Sequence, residues 1–128
     1  MGLNVELAIR ESIRPGQQLV TPSQGKPFVV DRVDSKGVVL LLGSGEWPTR
    51  IIWTCLEGIV PFIRDHGGEV SIGGRHEVKG NPGTLDEWLK GCVKRTTAGW
   101  VAVVLAEAGV VEIIHDRPQR VRLMHGWR

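Results

Sequence analysis

Thr84-Leu85-Asp86-Glu87-Trp88-Leu89-Lys90, then Thr96-Thr97-Ala98-Gly99-Trp100-Val101-Ala102-Val103-Val104-Leu105-Ala106-Glu107-Ala108-Gly109, lead into Val110-Val111-Glu112-Ile113-Ile114 and Arg120-Val121-Arg122-Leu123-Met124. Thr84 with Glu87 three residues later is a capping-box pattern: a hydroxyl accepts one free amide of the first turn and a carboxylate returns to another. Lys90, Lys94 and Arg95 suit the negative end of that helix, and Thr96 or Thr97 can cap a second helix almost at once. In the second helix Trp100, Val101, Val104, Leu105 and Ala108 form an apolar stripe, and Gly109 fits the left-handed position that closes it. Two strand-like runs then flank His115-Asp116-Arg117-Pro118-Gln119. Helix, tight turn, helix and β-hairpin in that order predict a winged-helix-like unit over residues 84–124.

Upstream, Thr54 and Glu57 repeat the capping-box pattern and predict a helix beginning at Thr54. Leu56, Ile59, Val60 and Ile63 recur at helical spacing, and Gly67-Gly68 ends the run. Pro61 lacks the amide that would bond back to Glu57, which predicts a kink or restart near Ile59. A short strand at Glu69 to Ile72 follows, then a polar loop from Gly73 to Gly83. Before Thr54 the pattern is β. Val5, Leu7 and Ile9 alternate with Glu6 and Ala8, which predicts a strand. Gln18 to Val20, Phe28 to Val33, Val38 to Leu42 and Arg50 to Trp53 read as further strands. Asp34-Ser35-Lys36-Gly37 has the acceptor and the permissive glycine of a hairpin turn.

The sum is one α+β domain over 1–128: a β-meander in 1–53, helix and loop in 54–83, and a winged-helix-like helix-turn-helix plus β-hairpin in 84–124. With 41% hydrophobic and 23% charged residues, 128 residues suffice for one core and are too apolar for wholesale disorder. The only two cysteines, Cys55 and Cys92, read as reduced core residues within helices. No apolar run approaches a membrane span, so the expected setting is cytoplasmic.

Sixteen Lys and Arg against fourteen Asp and Glu leave a formal charge of +2, so distribution rather than total must mark any polyanion-binding surface. Arginine supplies eleven of the cations, and its planar fork suits phosphate and guanine. The second helix of a helix-turn-helix usually presents polar groups to base edges. Here its outward positions are Ala98, Gly99, Ala102, Val103, Ala106 and Glu107, which offer bases almost nothing. Its N-terminus is better suited, where Thr96, Thr97 and free amides sit beside Lys94 and Arg95. The hairpin adds Arg117 at its tip, with Arg120 and Arg122 alternating on one strand. Arg75 and His76 in the long loop, and Trp47 among glycine and proline, are candidates for base contact.

Other chemistry has less support. The histidines lack partners at zinc-site spacing, no serine sits in a Gly-x-Ser-x-Gly turn, and no glycine-rich segment carries the lysine of a phosphate loop. No metal or nucleotide cofactor is expected. Glu77-Val78-Lys79 has the Glu-x-Lys spacing of some metal-dependent nucleases, which keeps a small nuclease as one alternative. A protein-interaction or dimerisation module, docking through the alanine-rich outer face of 97–108, is the other.

The stretches Gly83-Thr84-Leu85-Asp86-Glu87-Trp88-Leu89-Lys90, Ala98-Gly99-Trp100-Val101-Ala102 and Ala108-Gly109-Val110-Val111-Glu112-Ile113 resemble N-terminal accessory domains of actinobacterial HNH-type, McrA-like restriction endonucleases. Lys26-Pro27-Phe28-Val29-Val30-Asp31 and Trp53-Thr54-Cys55-Leu56-Glu57-Gly58 share in the resemblance. It implies a module that reads DNA, sensitive to modified bases and attached to a separate nuclease domain; the partner expected for the chain is double-stranded DNA, with a homodimer or an attached nuclease domain beside it. The chain has no HNH cluster of its own, so the expectation is a specificity module without catalytic residues.

Overall fold

The computed structural model describes residues 4–22, 24–43, 45–73, 83–93, 97–116 and 118–128. Their order is α1 (Val5–Ser12), β1 (Gln18–Val20), β2 (Pro27–Val33), β3 (Gly37–Leu42), β4 (Trp47–Ile52), α2 (Trp53–Asp65), β5 (Glu69–Ser71), α3 (Leu85–Lys90), α4 (Ala98–Glu107), β6 (Val111–Ile114) and β7 (Arg120–Leu123). The fold is mixed α+β: a four-stranded antiparallel sheet in the order β1-β2-β3-β4, and a small sheet in the order β5-β7-β6.

The first element corrects the sequence reading, because residues 5–12 are helical. The Asn4 side chain accepts from Leu7 N at 2.9 Å, and Glu6 pairs with Arg10 one turn on. Val5, Ile9 and Ile13 are buried at intervals of four while Leu7 faces solvent, so the alternation of Val5, Leu7 and Ile9 was incidental. Glu57 completes the start of this helix, its two carboxylate oxygens each accepting at 3.0 Å from Val5 N and Glu6 N. Glu57 therefore caps α1 and not its own helix. With that acceptor committed, α2 begins at Trp53 with no side-chain cap, and it runs through Pro61 as one helix rather than restarting.

The meander follows its expected hairpins. Asp34 Oδ1 accepts from Lys36 N at 2.9 Å and Gly37 N at 3.1 Å, closing the β2–β3 turn. Only glycine fits at 37, since a Cβ there would stand 2.1 Å from Ile51 O on β4. Strand β4 starts earlier than expected, at Trp47, paired with Leu42.

Helices α2 and α4 end alike. Gly68 N donates to Ile63 O and Gly67 N to Arg64 O, while Val110 N donates to Leu105 O and Gly109 N to Ala106 O. Both are Schellman closures, which place a glycine at positive φ just past the last turn, here Gly67 at 87° and Gly109 at 77°. One apolar cluster runs from Val5 and Ile9 through Leu40, Ile51, Leu56 and Ile63 to Leu89, Leu105 and Leu123, so both sheets and all the described helices share a single core.

The cysteines also differ from expectation. Cys55, buried in the first turn of α2, forms a disulfide with Cys92, which lies past the end of α3 and is exposed. Packing of α3 on α2 brings residues 37 apart in sequence to a Cα separation of 6.2 Å. No local spacing announces such a pair.

Candidate nucleic-acid interface

Helix α3 bears out its capping box: Thr84 Oγ1 accepts from Glu87 N at 3.1 Å, and Glu87 Oε1 accepts from Gly83 N at 3.2 Å. It ends at Lys90, earlier than the basic run suggested, with Lys90 Nζ 3.2 Å from Asp86 Oδ2. Helix α4 starts after Thr97, which is fully buried and whose hydroxyl makes neither a cap bond nor any other hydrogen bond. Thr97 thus marks the right boundary without offering its oxygen to a ligand.

The face of α4 expected to point outward is covered by the chain itself. Ala98 and Ala102 are fully buried, Gly99, Val103 and Ala106 partly so, and only Glu107 within the helix is exposed. Helix α1 and strand β1 pack on it; Pro22 Cδ lies 4.0 Å from where a Cβ on Gly99 would stand, and Gln17 Nε2 reaches Glu107 Oε2 at 3.4 Å. A helix apolar all round is a buried helix. That geometry removes α4 as a reader inserted in a groove, and equally removes its small-residue face as an open docking surface.

Arg120 and Arg122 on β7 are partnered. Arg122 Nε donates to Glu112 Oε1 at 2.8 Å across the β6–β7 pair, and its NH1 lies 3.9 Å from Glu69 Oε1 on β5. Arg120 lies 3.3 Å from Glu69 Oε2 and donates through NH2 to Asp116 Oδ2 at 3.4 Å. Glu69, Arg122 and Glu112 form one cross-strand row, negative, positive, negative. These pairs tie the three short strands together, and a phosphate would compete with a carboxylate at either arginine. The β2–β3 turn does the same for Arg32 and Arg50, both held by Asp34 at 3.3 and 2.8 Å. The Lys36 amide above all, then the Gly37 amide and Arg50, outweigh partial desolvation and hold the Asp34 carboxyl below its ordinary range.

At one end of the molecule three described segments meet. Ile72 N, past β5, donates to Gln119 O at 2.9 Å; Gln119 Nε2 donates to Pro22 O at 3.1 Å; and Pro22 covers Gly99 in the first turn of α4. The flanks of three segments therefore meet here, and these segments carry Arg75 and His76, Lys94 with Arg95 and Thr96, and Arg117. Those six residues, like Glu77 and Lys79, lie outside the described residues. The Pro22 turn adds Lys26, closed by Thr21 N donating to Lys26 O at 2.9 Å, and Lys26 makes no ion pair among the described residues. Sequence reasoning passed over Lys26, although a lysine in a turn beside two prolines was a visible signal.

Trp47 belongs to the same end. The antiparallel order places the β1–β2 and β3–β4 turns at the same end of the sheet, two strand spacings or roughly 10 Å apart. Its indole lies over Gly45 and is 63% exposed. Trp53 is buried, and Trp88, Trp100 and Trp127 are partly buried.

Among the described residues no cluster of three or more His, Cys, Asp or Glu is placed to hold a metal, and no helix is long and apolar enough to cross a membrane. Comparison with protein-family models, curated proteins and solved structures finds no match for the chain.

Proposed function

We propose that the chain is a double-stranded DNA-binding module that grips the phosphate backbone with the end of the molecule where Pro22, Ile72, Gly99 and Gln119 meet. That meeting point is the observation that carries the reading: five cations, Lys94, Arg95, Arg117, Arg75 and Lys26, belong to segments anchored there, with Lys79 further along one of them, against Glu77 and Asp116 from the same segments. A duplex has one charge per roughly 1.7 Å, so a compact group of this size suits it.

The finer architecture is read as a winged helix. Supporting this are the order α2, β5, α3, α4, β6, β7 and the strand sequence β5-β7-β6, in which the hairpin is joined by a strand preceding the helix pair. The mode of use differs from direct readout. With α4 covered by α1, β1 and Pro22, and Thr97 and Ala98 buried at its start, its contribution in this reading is to anchor the segment that carries Lys94 and Arg95. Arg120 and Arg122 shape the hairpin, Arg117 leads it, and Trp47 with Arg75 and His76 is left for contact with bases. The resemblance to accessory domains of McrA-like restriction endonucleases adds a role: a specificity module for an attached nuclease, tuned to modified DNA.

Titration of matched unmodified and cytosine-methylated duplexes at several salt concentrations tests this. The expected result is binding whose logarithm falls with log salt at a slope on the order of 4 to 5, for about five phosphates. Methyl preference would support the modification-reading role, equal affinity would reduce the module to a general anchor, and absence of binding at low salt would end the reading.

A further inference from the structure

The disulfide has no part in the proposed grip, yet it sits beside it in the chain. Helix α3 has only six residues, far too few to persist alone. What holds it is burial of Leu85 and Leu89, the Trp88 indole packed over Gly58 of α2 with Nε1 donating to Cys55 O at 3.0 Å, and the Cys55–Cys92 bond. The two sulfurs differ in setting. Cys92 is exposed, while Cys55 is buried as the third residue of the thirteen-residue α2, where free helix amides stabilise a departing thiolate.

We propose that Cys55–Cys92 is a reducible clamp, opened by a dithiol reductant, that holds α3 on α2 and thereby keeps the phosphate-gripping end in its binding arrangement. The second half rests on the proposed function. In the reaction, a thiolate of the reductant attacks Cys92 Sγ, and the S–S electron pair leaves on Cys55 Sγ, which takes a proton. The reductant's second thiolate then attacks its own sulfur in the mixed disulfide, releasing Cys92 as the thiolate, which is protonated in turn. The reductant ends as its intramolecular disulfide, and the protein has gained two electrons and two protons. Leu85, Leu89 and Trp88 remain packed, so α3 loosens without the core dissolving.

The test compares the oxidised protein, the dithiol-treated protein and Cys92→Ser by thiol counting without denaturant, amide hydrogen exchange over 84–93, and duplex titration. The expected result is two titratable thiols after treatment, exchange across α3 faster by about tenfold or more, and severalfold weaker duplex binding, with Cys92→Ser showing its single thiol and matching the reduced form in exchange and in binding. A bond that resists reduction until the protein unfolds overturns the proposal, and so does unchanged exchange or equal duplex affinity in the two forms. Faster exchange in a protein that binds no duplex in either form supports the clamp and ends the duplex-binding reading instead.

Discussion

Helices α3 and α4 stand next to each other in the chain and are held by opposite means. The shorter carries its own instructions: a threonine cap, a carboxylate that returns to Gly83 N, acids in the first turn and a lysine in the last. The longer has no side-chain cap, no charge in its first or last turn as assigned except Glu107, and a hydroxyl at its start that is buried without a partner. Local chemistry starts α3, whereas α4 exists because α1, β1, α3 and β6 cover it. The second helix of this pair is thus a core element, and whatever the unit binds must be met by its ends and neighbours.

The sharpest way to break that comparison is a charge on the covered face. Ala102→Arg places a guanidinium where nothing is exposed to water, and is expected to cost at least about 4 kcal/mol, leaving the protein largely unfolded in a denaturant melt. An unaltered melt would mean that the face is open and available for docking. A smaller effect separates the two starting threonines. Thr84→Ala removes a working cap and is expected to cost about 1 kcal/mol. Thr97→Val swaps an unpartnered buried hydroxyl for a methyl and is expected to be neutral or slightly stabilising. Equal losses at both sites, measured by urea unfolding, would erase the distinction drawn between the helices.

The same contrast explains what the sequence could tell. Features written in a few consecutive residues were legible: the Thr84 cap, the Gly67 and Gly109 closures, the Asp34 turn and the two hairpins. Features that depend on distant partners were not. Glu57 had the spacing of a local cap yet serves α1, fifty-two residues away from Val5. Residues 5–9 alternate like a strand, and the correcting signals, Asn4 as a cap and Glu6 four residues before Arg10, are weaker than the apolar pattern. The disulfide and the cover over α4 arise only once α2, α3 and the first sheet are packed together. For the interface, the cationic segments were visible as composition, but the meeting of Ile72, Gln119, Pro22 and Gly99 on their flanks was not, and neither was the pairing of Arg120 and Arg122 with Glu69, Glu112 and Asp116.

The central claim is that the phosphate grip lies at the start of α4 and not along it. Its most direct test is the salt dependence of duplex binding by the wild-type protein and by Lys94→Ala/Arg95→Ala. The account predicts a slope reduced by about 2 and uniformly weaker binding across duplex sequences. An unchanged slope and affinity in the double variant, beside measurable binding by the wild type, would contradict it.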